Sequence, residues 1–373
     1  MSRTAARSLL LAGAIASLAA ALAAPARAAA AAGQAWPPFV LVAGLLLIGA
    51  VAAKEGVFAA AGAFVSRLPG GGFELLAALL LVEAAVTAVL NLDTAVVFMT
   101  PVLLHAARHR GVDEQPFLYG AVFMANSASL LLPGSNLTNL IVLSREHVAG
   151  HVFATRMLAS WLLAVAATIV VLCVVYRRSL RESWPPDVER PPLRLGPGAI
   201  GALVAAALVL VLEKPALPVL GLGLAVAVLG RLRPRAAYDA VNPPLLVGVL
   251  GIAVGLGALA RALPGLGRLS TSAGRWASAG LGLGAALLVN NLPAAVMLSA
   301  HPPAHPRALL LGLDLGPNLL VTGSLSAVLW LQVSKAADAR PSIVRYTILG
   351  AVLVPIQMLT ALIAVTVLTP HGF

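Results

Sequence analysis

The chain has 373 residues, of which 60% are hydrophobic and only 10% are charged, and its mean hydropathy is +0.95. This composition excludes a soluble globular domain and indicates a polytopic membrane protein, because soluble domains do not bury so much apolar surface. The net charge of +11 does not indicate a nucleic-acid partner, since the excess consists largely of arginines in short loops, where they set orientation in the bilayer.

The first 30 residues have the pattern of either a secretory signal peptide or a first transmembrane helix. Arg3 and Arg7 precede an apolar run from Leu9 to Ala24, and Ala26-Arg27-Ala28 matches a signal-peptidase site. Cleavage is the favoured alternative, because the apolar run is short and rich in alanine rather than leucine.

The rest of the chain predicts an all-α fold in two halves, residues 31–176 and residues 196–373. Between the halves, residues 177–195 are rich in Arg and Pro and predict a cytoplasmic linker. The apolar runs are, in order, Phe39–Ala53, Phe73–Leu90, Ala95–Ala107, Phe117–Leu143 with a break inside, Val152–Tyr176, Ala199–Leu212, Ala216–Gly230, Leu245–Leu263, Ala279–Val289, Ala294–Ala300, Ala308–Leu331 with a break inside, and Ile348–Leu368.

Two pairs of these runs are interrupted at asparagines. The runs that flank Asn91 and Asn291 fall short of the roughly 20 residues that a transmembrane helix needs, so they predict re-entrant hairpins that turn at the Asn. The segment Val89–Val97 aligns on Val289–Met297 at an offset of 200 residues, with Val, Asn, Leu, Ala and Val identical. Broken segments at corresponding places in two halves are typical of the binding site of a secondary transporter.

Each half also contains a helix interrupted by proline and glycine. Pro133-Gly134 and Gly316-Pro317 cannot easily continue a regular helix, and Ser129–Ser135 aligns on Asn318–Ser324 at an offset of 189 residues. Freed carbonyls at such breaks can bind a cation, and helix N-termini favour an oxyanion. The alternative is a kinked helix whose hydroxyl groups satisfy its own backbone.

The distribution of Lys and Arg residues over the loops tests the predicted hairpins independently of the internal repeat. If both hairpins return to the side from which they enter, 17 of the Lys and Arg residues fall on one side and 8 on the other. The positive-inside rule makes the richer side cytoplasmic, so the first hairpin enters from the cytoplasm and the second from outside. Halves of opposite orientation form the inverted repeats of many secondary transporters.

The polar side chains at the interruptions are the candidate site. Amides and hydroxyls there can bind a substrate, or they can cap helix ends and join helices. A carboxylate at membrane depth tends to take up a proton or a counter-ion, which makes it a candidate for coupling, although Glu83 can instead be interfacial. The candidate substrate-binding residues are Asn91, Thr94, Ser129, Ser135, Asn136, Thr138, Asn290, Asn291, Asn318, Thr322 and Ser324, and the candidate ion-coupling residues are Asp93, Asp314 and Glu83.

At these residues the sequence resembles the arsenite-efflux permease (ArsB-like) family, within the ion-transporter superfamily that also holds dicarboxylate and citrate carriers. The resemblance implies about ten transmembrane helices, two re-entrant hairpins and a moving transport domain built from hairpins and broken helices. Leu92 and Val321-Thr322 depart from the family pattern, which bears on the substrate more than on the fold. The resembling motifs are Asn91–Ala95 running to Thr100-Pro101, Asn126–Ser129, Pro133–Asn139, Asn290–Pro293, Asp314–Asn318, Gly323–Leu325 and Leu329-Trp330.

No Lys or Arg falls in the middle of an assigned span, so the sequence shows no fixed cation for a carboxylate substrate. This favours a neutral or weakly ionised solute with hydroxyl groups, such as arsenous acid, although helix N-termini can also hold anions. We expect no cofactor and no metal site, because the histidine pairs at four-residue spacing lie at span ends without a carboxylate or Cys to complete a site. We expect no enzyme activity, because no nucleophile–base pair is visible.

The sequence therefore predicts a multi-pass secondary active transporter of the inner membrane. Its favoured function is efflux of arsenite or antimonite coupled to H⁺ or to the membrane potential, and the alternative is a Na⁺-coupled symporter of a carboxylate or an inorganic anion. A channel would transport without coupling. The expected partners are the anion or its neutral acid, the coupling ion and the lipid bilayer, with a second copy in a homodimer and a cytoplasmic ATPase subunit as further candidates.

Overall fold

The computed structural model describes residues 3–67, 70–144, 146, 148–181 and 196–368, so most of the predicted linker lies outside the described residues. Short 3₁₀ turns occupy Pro133–Ser135, Ser179–Arg181, Gly316–Asn318 and Val321–Gly323, and a π-helical segment occupies Ala364–Leu368. The α-helices are α1 Arg3–Ala23, α2 Pro25–Lys54, α3 Val57–Val65, α4 Gly72–Val89, α5 Leu92–His109, α6 Gln115–Ala128, α7 Leu137–Leu143, α8 Gly150–Val175, α9 Pro197–Val211, α10 Ala216–Leu229, α11 Pro234–Val241, α12 Pro243–Ala262, α13 Pro264–Ser272, α14 Arg275–Val289, α15 Asn291–Leu298, α16 Pro306–Leu315, α17 Leu325–Ala336 and α18 Ile343–Ile363.

Several helices have the length and composition of membrane spans. Large apolar side chains such as Leu203, Val228 and Ile348 remain exposed on them, as on a surface that faces lipid. The predicted class, an all-α polytopic membrane protein, is confirmed. The spans found within the described ranges are Pro25–Lys54, Gly72–Val89, Gly150–Val175, Pro234–Ala262 and Ile343–Val367, with shorter apolar helices at Arg7–Ala23, Pro197–Val211, Ala216–Leu229 and Arg275–Val289.

Two closely packed helix pairs, α1 with α12 and α2 with α10, form a scaffold in which α2 also contacts α12. Glycines let the backbones touch. A Cβ added to Gly44 of α2 would lie 2.5 Å from the carbonyl oxygen of Val219 in α10, and one on Gly251 of α12 would collide with the carbonyl oxygen of Gly13 in α1. Small residues are the usual means by which membrane helices approach this closely.

The two asparagine interruptions are breaks between helices that contact each other. Leu90 and Asn91 separate α4 from α5, and Asn290 alone separates α14 from α15. The Asn91 Oδ1 accepts a hydrogen bond of 2.7 Å from the Thr94 N–H, and the Asn290 Oδ1 accepts one of 3.3 Å from the Leu292 N–H. Asn290 has a φ of 80°, and asparagine suits both positions because it caps helices well and tolerates positive φ.

The second pair of interruptions also ends in capped helix starts. Asn136 begins α7 by accepting a hydrogen bond of 3.0 Å from the Thr138 N–H, and Ser324 begins α17 by accepting one of 3.2 Å from the Ala327 N–H. Helix α5 contacts α17, and α7 contacts α15. The helix that follows the asparagine interruption in one half therefore packs against the helix that follows the proline–glycine break in the other half, and this arrangement brings all four interruptions together.

A buried aromatic cluster supports the second broken helix. The ring of Trp330 lies 5.5 Å, between centroids, from the rings of both Tyr119 and Tyr346. The Trp330 indole N–H donates to the Leu118 carbonyl oxygen at 2.8 Å, and the Tyr346 hydroxyl donates to the Pro317 carbonyl oxygen at 2.8 Å. Each buried ring thus satisfies its polar group, and the bond to Pro317 holds the interruption after α16 in place.

Candidate functional site

A cavity of about 250 Å³ lies where the first turns of α5, α7, α15 and α17 meet. Helices α2, α11 and α12 complete its wall, largely with apolar side chains. The first N–H groups of a helix have no partner within that helix and carry the positive end of its dipole, so this cavity favours electron-rich oxygen atoms. Its polar lining residues are Asp93, Thr94, Asn136, Thr138, Asp239, Asn242, Asn291 and Ser326.

The charges in this lining are negative. Asp93 and Asp239 are carboxylates, and no Lys or Arg occurs among the described residues that line the cavity. The Asp93 Oδ1 accepts a hydrogen bond of 2.7 Å from the Ser326 hydroxyl, which joins α5 of the first half to α17 of the second. A polycarboxylate would meet like charges here without a fixed cation to offset them. The lining therefore suits a small neutral solute, or an anion accompanied by a cation.

Two hydroxyl groups in the lining are available to a ligand. The Oγ1 atoms of Thr94 and Thr138 are buried and have no hydrogen-bond partner within the described part of the chain. A buried polar group left unpaired costs about 1–3 kcal/mol, so a solute that pairs with these hydroxyls is stabilised in the cavity. Asn91 does not line the cavity, although it caps the helix at Thr94; it is 1% exposed, and its Nδ2 is also unpaired among the described residues.

Asp314 lies directly behind the cavity lining. Its Oδ1 accepts a hydrogen bond of 2.9 Å from the Nδ2 of Asn136, while its Oδ2 has no partner among residues that the structure describes. Because Asn136 lines the cavity, one hydrogen bond connects Asp314 to the cavity lining. A predicted coupling residue and a predicted substrate residue are thus in direct contact.

Glu83 is separate from this arrangement. It is fully buried in α4, it does not line the cavity, and neither of its carboxylate oxygens has a partner in the described ranges. A group of this kind at membrane depth fits a role in ion coupling, but the structure does not bring it to the cavity as it brings Asp93.

Several other predicted residues shape the interruptions rather than line the cavity. The Ser129 hydroxyl donates to the Asn126 carbonyl oxygen at 2.8 Å, and the Ser135 hydroxyl donates to the carbonyl oxygens of Leu132 and Ser129. Ser324 is 1% exposed and serves as the cap of α17. These side chains satisfy backbone groups that the broken helix frees.

Asn290 and Thr322 form a further contact within the second half. The Asn290 Nδ2 donates to the Thr322 carbonyl oxygen at 3.1 Å, while the Thr322 side chain is exposed. Neither residue lines the cavity, whereas Asn291, the next residue along, does.

Asn318 belongs to a buried polar network that the sequence analysis did not identify. Its Oδ1 accepts a hydrogen bond of 2.9 Å from Asn126, and its Nδ2 donates to the Gln357 Oε1 at 3.2 Å. The Gln357 Nε2 donates to the hydroxyls of Ser127 at 2.6 Å and Thr168 at 2.9 Å. All five side chains are 0% exposed, and the network joins α6, α8 and α18 to the turn after α16.

Sequence analysis also missed three of the polar residues that line the cavity: Ser326, Asp239 and Asn242. Ser326 follows the predicted Ser324 by two residues. Asp239 lies on α11, and Asn242 joins α11 to α12, in a stretch that contains no long apolar run. The signal that identifies α11 is its amphipathic sequence with a proline at the first helical position.

The model of the citrate transporter family matches residues 6–313, most of the chain. The chain belongs to the citrate transporter family. This family member is 26% identical over 329 residues to the arsenical pump membrane protein of Escherichia coli (strain K12), with 78% of this chain and 76% of that protein covered. It is also 26% identical over 370 residues to an uncharacterized transporter of Mycobacterium tuberculosis (strain ATCC 25618 / H37Rv), with 88% of this chain and 85% of that protein covered.

The fold of this citrate transporter family member is similar to that of the Alcanivorax borkumensis YdaH transporter, whose crystal structure was described as having an unusual topology. The TM-score is 0.61 at 15% sequence identity, and the match covers 92% of this chain and 87% of the other. The resemblance to ArsB-like ion transporters is confirmed. The protein is a multi-pass membrane transporter, and in bacteria such a protein lies in the inner membrane.

Proposed function

We propose that this transporter exports arsenite or antimonite as the neutral acid, coupled to H⁺ or to the membrane potential. The observation that carries the proposal is a cavity built from helix N-termini and free hydroxyl groups, with two carboxylates and no Lys or Arg in its described lining. Arsenous acid is a small uncharged solute whose hydroxyl groups both donate and accept hydrogen bonds. The similarity to an arsenical pump membrane protein supports the same substrate.

The lining offers such a solute both kinds of partner. The Thr94 and Thr138 hydroxyls and the first N–H groups of α5, α15 and α17 can donate to its oxygen atoms, and the Asp93 carboxylate can accept from its hydroxyls. Protonation removes the charge of Asp93 and turns one of its oxygens into a hydrogen-bond donor, so the side chain accepts fewer and weaker hydrogen bonds. Proton uptake from one side of the membrane would therefore weaken substrate binding, which is the relation that an antiporter requires.

Asp314 supplies a second group for coupling. It contacts the cavity through Asn136, so a proton or cation at Asp314 changes the hydrogen-bonding capacity of a lining side chain. The reciprocal contacts of α5 with α17 and of α7 with α15 support inverted repeats whose interruptions face each other. In this mechanism the interrupted helices move against the scaffold of α1, α2, α10 and α12. A second copy of the chain, or a cytoplasmic ATPase subunit at the linker, would bind outside this moving part.

A Na⁺-coupled symporter of a carboxylate is the second candidate function, because the matching family is described by citrate transport. A cation held by the lining carboxylates would offset the charge of such a substrate. The interruption at Pro133-Gly134 has few free carbonyl oxygens that could bind such a cation. The Ser129 carbonyl oxygen already accepts hydrogen bonds from the Ser135 hydroxyl and from the Asn139 Nδ2.

Uptake into everted membrane vesicles distinguishes the two functions. We expect accumulation of arsenite that depends on the proton gradient or the membrane potential, with no accumulation of citrate or sulfate. Asp93→Asn and Asp314→Asn should remove the proton dependence, whereas Asp338→Asn, at an exposed site, should not. Sodium-dependent accumulation of citrate without arsenite transport would overturn the proposal, and arsenite flux that stays uncoupled in every variant would indicate a channel.

A further inference from the structure

A second cavity adjoins the candidate binding cavity on one side. Its volume is about 690 Å³, and its lining includes Lys54 and Arg233, which the loop charges assign to the cytoplasmic side. Phe98, Asp239 and Ala240 line both cavities, so the two spaces adjoin at these residues. The candidate binding cavity therefore has an access route on the cytoplasmic side.

A third cavity, of about 590 Å³, lies on the outer side of the candidate binding cavity. Its lining includes Trp36 and Lys214, and the loop charges assign Lys214 to the outer side. Within the described ranges it has no lining residue in common with the candidate binding cavity. Helices α2 and α7, which contact each other, contribute to both linings and separate the two spaces. The structure is therefore closed on the outer side.

Helix α2 orders these features across the membrane. Lys54 lies at its cytoplasmic end, Phe39 and Val42 line the candidate binding cavity, and Gln34 lies further towards the outer side. With a rise of about 1.5 Å per residue, Gln34 and Lys54 are about 30 Å apart along the helix. The candidate binding cavity thus lies between the cytoplasmic access route and Gln34.

Gln34 joins the scaffold to the ends of two helices that begin at the cavity. Its Nε2 donates to the Ile141 carbonyl oxygen of α7 at 3.2 Å, and to the carbonyl and hydroxyl oxygens of Ser299, directly after α15, at 3.1 and 3.0 Å. The Ser299 hydroxyl donates to the Ala295 carbonyl oxygen, so it acts as an acceptor towards Gln34. Both Gln34 and Ser299 are buried. One amide thus holds the ends of α7 and α15 to α2.

Arg261 of α12 fixes the orientation of this amide. Its Nη2 donates to the Gln34 Oε1, and its Nη1 donates to the Gly257 carbonyl oxygen at 2.9 Å. A guanidinium group has only donors, so the amide oxygen must face Arg261 and the amide nitrogen must face α7 and α15. The loop charges assign Arg261 to the outer side. The contact therefore joins α2, α7, α12 and α15 on the side opposite to the access route.

We infer that Gln34, held by Arg261, is the outer gate of the transporter, and that its hydrogen bonds to α7 and α15 keep the outer side closed while the cavity is open to the cytoplasm. The inference rests on the proposed function in that it takes the interrupted helices to move against the scaffold. The acceptors lie at helix C-termini, where carbonyl oxygens lack partners within the helix. Water from the outer side can bond to these oxygens when the gate opens, so the contact can form and break in each cycle.

Labelling of a single cysteine from the two sides of the membrane tests the gate in the full-length transporter. The background is Cys173→Ala, which removes the chain's one cysteine, and the reporter is Val97→Cys, at a residue that lines the candidate binding cavity. A membrane-impermeant methanethiosulfonate reagent reaches the cytoplasmic side in everted vesicles and the outer side in right-side-out vesicles. With the gate intact, we expect faster labelling in everted vesicles. Gln34→Leu should raise the ratio of the outer to the cytoplasmic rate by about ten-fold, because the lost bonds favour the closed state.

Further variants separate the gate from a general loss of packing. Gln34→Glu keeps an acceptor for Arg261 but removes the donors to α7 and α15, so the ratio should rise as in Gln34→Leu. Ser299→Ala removes one of the three acceptors and should raise the ratio less. If Gln34→Leu does not fold, these two variants carry the test. The matched control is Gln115→Leu, which removes a bond to Arg345 near the cytoplasmic side and should leave the ratio unchanged.

Two further reporters check the position and the sidedness of the labelling. Ala35→Cys, next to the gate at a site that is 1% exposed, should be protected in the background protein and labelled from the outer side in Gln34→Leu. Ser179→Cys, in the predicted cytoplasmic linker, should be labelled in everted vesicles in every variant. An unchanged ratio at Val97→Cys in both Gln34 variants overturns the inference, as does an equal increase from both sides, which would show only looser packing.

The labelling ratio needs no transported substrate, so it separates the gate from the proposed function. If arsenite is not transported but the ratio rises in Gln34→Leu, the gate stands and the choice of substrate fails. If arsenite is transported and the ratio does not change, the choice of substrate stands and the gate fails. Equal labelling of Val97→Cys from both sides with Gln34 in place would indicate a channel and would overturn both the gate and the coupled transport.

Discussion

The Nδ2 of Asn136 lies 2.9 Å from the Oδ1 of Asp314, and this hydrogen bond joins the interrupted helix of the first half to α16 of the second. Both side chains are buried, with 3% and 1% of their surface exposed. Asn136 also caps α7 through its Oδ1, so one amide holds a helix start and a carboxylate at the same time. Any movement of the two halves that carries substrate must keep this bond or replace it.

Replacement of Asn136 by alanine should therefore destabilise the protein strongly. It removes the cap of α7 and leaves the buried Asp314 carboxylate without its donor, which together cost about 2–4 kcal/mol. Thermal unfolding of the detergent-solubilised protein measures the loss, and Ser144→Ala, at an exposed serine that bonds its own helix, is the control. Equal melting temperatures for the two variants would contradict this account.

The network around Gln357 gives a second prediction about stability. Gln357→Leu leaves the hydroxyls of Ser127 and Thr168 and the amide of Asn318 with fewer partners in a buried site. We expect the free energy of unfolding to fall by about 2–3 kcal/mol. The matched control is Gln115→Leu, which removes a single bond of 3.0 Å to Arg345 near the surface and should change stability by less than about 1 kcal/mol. A loss that is no larger for Gln357→Leu than for the control would refute the role of the network.

The sequence predicted the interruptions well because their signals are local. Asparagine, proline and glycine act on their own turn of the chain, so the breaks near Asn91, Pro133, Asn290 and Pro317 are visible without tertiary information. The internal alignment still missed by one residue, since it paired Asn91 with Asn291 whereas the structural caps are Asn91 and Asn290. Two residues that are identical in the aligned repeat therefore need not have the same role as helix caps.

The residues that sequence analysis missed depend on contacts between distant segments. Gln357 lies in the apolar helix α18, and nothing near it in the sequence indicates that Ser127 and Thr168 lie within hydrogen-bond distance. Asp239 looks like an ordinary charge beside a cytoplasmic loop until the path of α11 brings it to the cavity. Prediction from one sequence thus located the breaks but not the full set of groups that surround them.

Two glycines of helix α10, Gly221 and Gly223, allow a test of how much the close packing of the scaffold contributes to stability. A Cβ on Gly223 would lie 2.5 Å from the carbonyl oxygen of Gly44, whereas a Cβ on Gly221 would have nothing within 4 Å. Alanine at an open helical position gains up to about 1 kcal/mol over glycine, so Gly221→Ala should be neutral or stabilising. Gly223→Ala should lower the melting temperature, because α10 and α2 must separate. If both variants melt at the same temperature, this close contact does not hold the scaffold together.

The pH dependence of stability should depend on His305, in the loop before α16. Burial, and then the positive charges of Arg275 and Arg307, lower the pKa of His305 below its ordinary value. The unfolded chain therefore takes up a proton before the folded protein does, and this contribution to stability is lost as the pH falls below about 6.5. In His305→Asn the decrease in melting temperature between pH 7 and pH 5 should be smaller by about 1–2 °C. His301→Asn, in the same loop, is the control, and an unchanged slope in His305→Asn would exclude this contribution.

Residues 1–30 were predicted to be either a cleaved signal peptide or a first transmembrane helix. The packing of α1 favours the transmembrane helix. Gly13 of α1 meets Gly248 and Gly251 of α12 at contacts where a Cβ on any of the three glycines would collide with the backbone of the other helix. The candidate cleavage motif lies in the first turn of α2, where Ala28 is buried, and a helical, buried segment is a poor protease substrate. We expect the intact mass of the purified protein to include residues 3–23, and Gly13→Leu to destabilise it, whereas Gly33→Leu, with nothing within 4 Å of its Cβ, should have little effect. A mass that corresponds to a chain beginning after Ala28 would show that α1 is removed and that α12 meets a different partner in the membrane.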